Sequence, residues 1–123
     1  MTKEQEQVKE WMKLAGQDCP EKPIENLPDK VHNLRWDLIS EEMDELENAC
    51  DLVAVADALG DLMYVILGYA VAHGIDLEPI FQEVHRSNMS KFIDGHRRED
   101  GKWIKGPSYS PANLQPIIEA QSK

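Results

Sequence analysis

The chain has 123 residues, enough for one domain of ordinary size and too few for two with separate cores. Its 13 basic and 23 acidic residues give a formal net charge of −10, with the acids spread along the chain; a surface that tracks a phosphate backbone needs the opposite sign, so nucleic acid is not an expected partner. Cys19 and Cys50 have no CxxC and no histidines at zinc spacing, which argues against a disulfide framework and a structural zinc site and leaves two free thiols.

The N-terminal stretch MTKEQEQVKEWM lacks the apolar run of a secretory signal, so the chain is expected in a reducing cytoplasm. The first predicted helix spans Lys3 to Ala15, with Val8, Trp11, Met12 and Ala15 spaced as one apolar face and Gly16 ending it. The stretch GQDCPEKPIENLPD carries three prolines and reads as a loop. A second helix starts near Asp29 or His32 and runs to about Ala49, and a third spans Leu52 to His73, closed by Gly74. Asp76 is placed to cap a fourth, LEPIFQEVHRSNMSKF, which tolerates Pro79 in its first turn. From Asp94 the turn-rich, basic segment DGHRREDGKWIKGPSYSP predicts a long loop or short hairpin, with a short helix to follow in ANLQPIIEA. The expected fold is all-α: a four-helix bundle over 1–93 with an irregular C-terminal arm over 94–123, together one domain.

The acids of SEEMDEL pose the central question. Stepping about 100° per residue along the second helix gathers Leu34, Leu38, Glu42, Glu45 and Ala49 within roughly 80° of arc, with Glu41 at its edge. The third helix is apolar on every side except for Asp57 and Asp61, four residues apart on one face, with Tyr64 and Gly68 continuing the line. Its length would permit a membrane span, but an aspartate at a bilayer centre costs about 2.5–3.5 kcal/mol, so burial in a bundle or oligomer is the better reading. Inward carboxylates need neutralising, and no Lys or Arg occurs between Arg35 and Arg86. A hard divalent cation, Mg²⁺ or Mn²⁺, fits the oxygen-only set. Taken alone, a run such as EEMDELE is an ordinary solvated face; Asp57 and Asp61 in an apolar helix are what weigh against that.

EExxE on one helix, followed by DALGDLMYVILG on the next, resembles the MazG-like all-α nucleoside triphosphate pyrophosphohydrolases, a superfamily that includes the phosphoribosyl-ATP pyrophosphohydrolases. VHRSNMSK followed by DGKWIKGPSYSP extends the resemblance over nearly the whole chain, toward the phosphoribosyl-ATP pyrophosphohydrolase-like branch. The resemblance implies hydrolysis of a nucleotide between its α- and β-phosphates, giving a monophosphate and pyrophosphate. It implies that Glu42, Glu45, Asp57 and Asp61 hold Mg²⁺ and that Glu41 orients or deprotonates the attacking water. There is one departure: the usual second motif is ExxD, and this chain has Ala58 where it places Glu. On the fourth helix Asn88 is expected on the sugar or base and Lys91 on phosphate, with Lys102 and Lys105 of the arm closing over the triphosphate and Tyr109 stacking on the base.

Trp11 is expected to pack, and Trp36, on the side away from the acids, to meet another subunit. The apolar third helix needs covering, so a homodimer or homotetramer is expected. The leading reading is a (d)NTP pyrophosphohydrolase in nucleotide pool sanitation or phage nucleotide metabolism; phosphoribosyl-ATP hydrolysis and a catalytically silent helical interaction module are the alternatives. A di-iron carboxylate centre would call for Glu-x-x-His pairs, and position 82, three before His85, is Gln82.

Overall fold

The computed structural model describes Met1–Lys123 as five helices and one small antiparallel hairpin. In chain order these are α1 (Lys3–Leu14), α2 (Asp29–Glu47), α3 (Leu52–His73), α4 (Leu77–Ser90), β1 (His96–Arg97), β2 (Trp103–Ile104) and α5 (Gln115–Gln121). The all-α class is therefore the one expected. The second helix stops two residues before Ala49 and the fourth two before Phe92, while the short C-terminal helix starts at Gln115, three residues after Ala112. The chain divides into two compact units, Met1–Leu77 and Glu78–Lys123, so most of α4 groups with the arm.

In the first unit α1 and α3 each start at a side-chain cap. Thr2 Oγ1 accepts from Gln5 N (3.2 Å) ahead of α1, and Asp51 Oδ1 accepts from Ala54 N (2.8 Å) ahead of α3, each satisfying an otherwise orphaned amide. α3 ends where Gly74 takes φ +72°, the left-handed conformation that glycine adopts without penalty. α1 and α2 both pack on α3, around a core of Val8, Met12, Val71 and Ala72 supported by Leu27, Val31 and Leu67. Val8 and Met12 are almost wholly buried, each contributing about 1.5–3 kcal/mol.

The buried face of α1 is Gln5, Val8 and Met12, and Trp11, expected to pack, is 53% exposed. The face turns because Gln5 finds partners for both ends of its amide: Nε2 donates to Ile75 O (2.6 Å) and Oε1 accepts from Leu77 N (3.0 Å). On α2 the same one-step rotation buries Arg35 and leaves Leu34 exposed. α3 buries Ala58 near its start and Gly68, Ala70, Val71 and Ala72 toward its end, while Leu52, Val53, Leu59 and Met63 face outward. By length and composition it is apolar enough to cross a membrane.

The second unit is held by ionic and hydrogen-bonded clamps. Glu83 Oε1 accepts from Arg86 Nε (2.7 Å) and Oε2 from Asn113 N (2.7 Å), while Arg86 donates to Ser110 Oγ and Pro111 O. Arg86 thus fastens the arm to α4. The Arg86 guanidinium, with the Asn113 amide, holds the Glu83 carboxyl at about 2. A carboxylate depressed in the folded state contributes stability above its unfolded value, near 4.5, that is lost as pH falls toward about 2. The protection factor of the Asn113 amide, its exchange rate relative to the intrinsic rate at the same pH, should therefore fall across that window, and Glu83→Gln should remove that fall while leaving lower protection at neutral pH.

Candidate metal centre

α2 and α3 are joined by the short 48–51 connection and pack along their length, which brings the acidic turn of one against the acidic turn of the other. Glu42 and Glu45, three residues apart, stand on adjacent faces of α2. Their carboxylate oxygens and one from Asp61 of α3 all lie within 4.8 Å of one another. Glu42 is half-buried and Glu45 exposed, so the site has a dry side and an open side.

Three carboxylates this close repel unless something positive joins them. None of the three forms an ion pair with a basic side chain, and Glu42 Oε2 is buried without a hydrogen-bond partner. Burial pushes the Glu42 carboxyl above the ordinary carboxylate range, and Glu45, Asp61 and then Asp57 push it the same way. An orphaned anionic oxygen within an all-oxygen set fits a hard divalent cation.

Asp57 acts on Glu42 through its charge but stands outside the trio. The reason lies in the departure noted at Ala58, which is buried. Moving the acid from position 58 to 57 turns it about 100° around the helix, and Asp57 is exposed. Glu41 is exposed beside Glu42.

In the second unit three of the five expected substrate-binding residues come together: Lys105 Nζ lies 4.4 Å and Lys91 Nζ 5.8 Å from the Tyr109 ring centroid. Ser87 Oγ donates to the Tyr109 hydroxyl (3.4 Å), fixing the ring. Asn88 is exposed, and Lys102 meets Asp100 through its backbone amide with its side chain exposed. Trp103 anchors the hairpin, donating from Nε1 to Lys91 O (2.7 Å) and packing on Phe92. Arg98, of the basic arm, pairs with Asp100.

The family model described as phosphoribosyl-ATP pyrophosphohydrolase matches residues 8–88, which include the acidic turns of both helices and all of α4 but its last two residues. No curated protein matches the chain.

Proposed function

The chain belongs to the phosphoribosyl-ATP pyrophosphohydrolase family, within the MazG-like all-α nucleotide pyrophosphohydrolases, and we propose that it cleaves a nucleotide to its monophosphate and pyrophosphate with a divalent cation. The observation that carries this reading is the convergence of Glu42, Glu45 and Asp61 around a buried oxygen that lacks a donor. These three would hold the cation, with Asp57 adding charge from outside the trio. When bound there, Mg²⁺ or Mn²⁺ would supply polarisation of the phosphoryl oxygens and would offset charge on the pyrophosphate.

The remaining work falls to the chain itself. Glu41, exposed beside Glu42, accepts a hydrogen bond from the attacking water and takes its proton. Lys91 and Lys105 offer phosphate two cations against the face of Tyr109, and Asn88 and Lys102 supply further polar contacts to the sugar and phosphates. No covalent nucleophile is needed, since in-line attack by water suffices.

Two substrate readings have support: a (d)NTP, from the ordered acidic motifs, and phosphoribosyl-ATP, from the family description. Pyrophosphate release from the common dNTPs, dUTP, the ribonucleotides and phosphoribosyl-ATP, with Mg²⁺ or Mn²⁺, separates them. Absence of release from all of these rejects the reading and leaves the silent helical module.

The outward apolar side chains of α3, Leu52, Val53, Leu59 and Met63, continue the helix that carries Asp57 and Asp61. A second copy of the chain would cover them at no cost to those acids, which a bilayer would have to desolvate. Light scattering in detergent-free buffer should give at least twice the chain mass, and Leu59→Glu should return it to one.

A further inference from the structure

We propose that Arg35 anchors a second binding site, for a phosphate monoester carried on a sugar or planar body, in the cavity between the end of α1, the 16–28 loop and the start of α2. The cavity has a volume of about 710 Å³, the size of a small-molecule site. Its apolar wall includes Leu27, Val31 and Leu34, and its polar lining is Gln17 with two cations, Arg35 and Lys30, against one acid, Asp18, a formal excess of one positive charge.

Arg35 is 4% exposed. Its Nη2 donates to Gln17 Oε1 (2.7 Å), a neutral acceptor, while Nε has no partner at all. No carboxylate pairs with it. A buried guanidinium without an anion is costly, since the fork of donors has lost water and gained one amide oxygen in return. Burial accordingly lowers its proton affinity. An oxyanion entering the cavity would supply what the fork lacks, and Lys30 on the same wall would add a second positive charge. The guanidinium is held in place by an absence: a Cβ at Gly68 would stand 2.5 Å from Arg35 Nη1, so α3 carries glycine where the fork lies across it.

Arg35 and Glu42 are seven residues apart on α2 and lie on one stripe, about 10.5 Å along the axis. The anion site is thus distinct from the carboxylate trio, and it does not depend on the hydrolytic reading. A phosphate could reach it in two ways: as a second phosphate at the far end of the substrate itself, or on a separate phosphorylated small molecule.

Isothermal titration of the full chain with ribose 5-phosphate in EDTA, so that no cation bridges the anion, tests the site. Wild type should bind ribose 5-phosphate and not ribose. Arg35→Met should weaken binding by at least about tenfold, and Glu45→Gln should leave it unchanged. Arg35→Lys should retain part of it, and Gly68→Ala, which keeps the charge but displaces the fork, should weaken it. If Arg35→Met does not fold, the Lys and Gly68→Ala variants carry the test. Binding of ribose 5-phosphate that is equal in wild type and these variants, or no binding by wild type, would overturn the proposal. If the phosphate belongs to the substrate, ribose 5-phosphate competes with it in turnover; if it belongs to a separate ligand, inhibition or activation is non-competitive. Loss of hydrolysis in Glu45→Gln with retained ribose 5-phosphate binding keeps the two readings apart.

Discussion

Asp61→Asn and Glu45→Gln should each lower pyrophosphate release by at least about 10³-fold, equivalent to several kcal/mol of transition-state stabilisation. Each substitution keeps the shape of the side chain and replaces one anionic oxygen of the trio with a neutral amide. A hard cation then sees two carboxylates in place of three, and its grip weakens with its catalytic effect. The effect on stability should run the other way. In metal-free buffer the trio is held together against its own repulsion, with Glu42 already displaced toward the protonated form by burial and then by its acidic neighbours. Both variants should melt above wild type in EDTA and gain less on adding Mg²⁺, whereas wild type at one hundred times the Kd should gain about 2.7 kcal/mol. Kinetics and thermal melting on the same preparations check both halves. Retained turnover in Asp61→Asn would mean that the trio is a solvated acidic patch.

The largest effect expected on the fold alone comes from Gly74→Ala. Gly74 has φ +72°, and a Cβ there would lie 2.4 Å from Lys22 O and 3.0 Å from Pro20 O. Both obstacles are backbone, so no rotamer change relieves them. The 16–28 loop is tied at this point by Ile24 N donating to His73 O (2.8 Å) and by His73 Nδ1 beside Ile24 O (2.8 Å). Left-handed strain costs about 1–2 kcal/mol and the displaced loop adds to it, for a total of about 2–4 kcal/mol and a fall in Tm of roughly 8–16 °C. Gly60 is the natural control. It lies inside α3 with open space around its missing Cβ, and Gly60→Ala should stabilise by about 0.5–1 kcal/mol. If Gly74→Ala melts like wild type, the contact between the loop and the end of α3 has been misplaced.

Much of this was legible in the sequence because its signals are local. Asp51 and Gly74 are a capping residue and a left-handed stop, so the limits of α3 follow from residues at its own ends. Glu42 and Asp61 stood out because their helices offered no basic side chain in reach. The rotation of α1 and α2 was not legible. Gln5 looks solvated until its two partners, 70 and 72 residues away, are known. Arg35 likewise looks like a surface cation, and Leu34 beside it like core; what inverts them is Gly68 on another helix, whose missing side chain leaves room for the guanidinium. Asp57 joins Asp61 on i, i+4 spacing alone, yet the trio closes without it, since an acid at 57 instead of 58 is turned about 100° around α3 and is exposed.

The stoichiometry of the products tests the central claim most directly. With Mg²⁺ and a hydrolysed nucleotide, the account predicts one pyrophosphate per monophosphate and no orthophosphate, turnover that stops on chelation, and recovery on adding Mg²⁺ or Mn²⁺ to wild type but not to Asp61→Asn. Orthophosphate as the product, or pyrophosphate release indifferent to both chelation and Asp61→Asn, would contradict it.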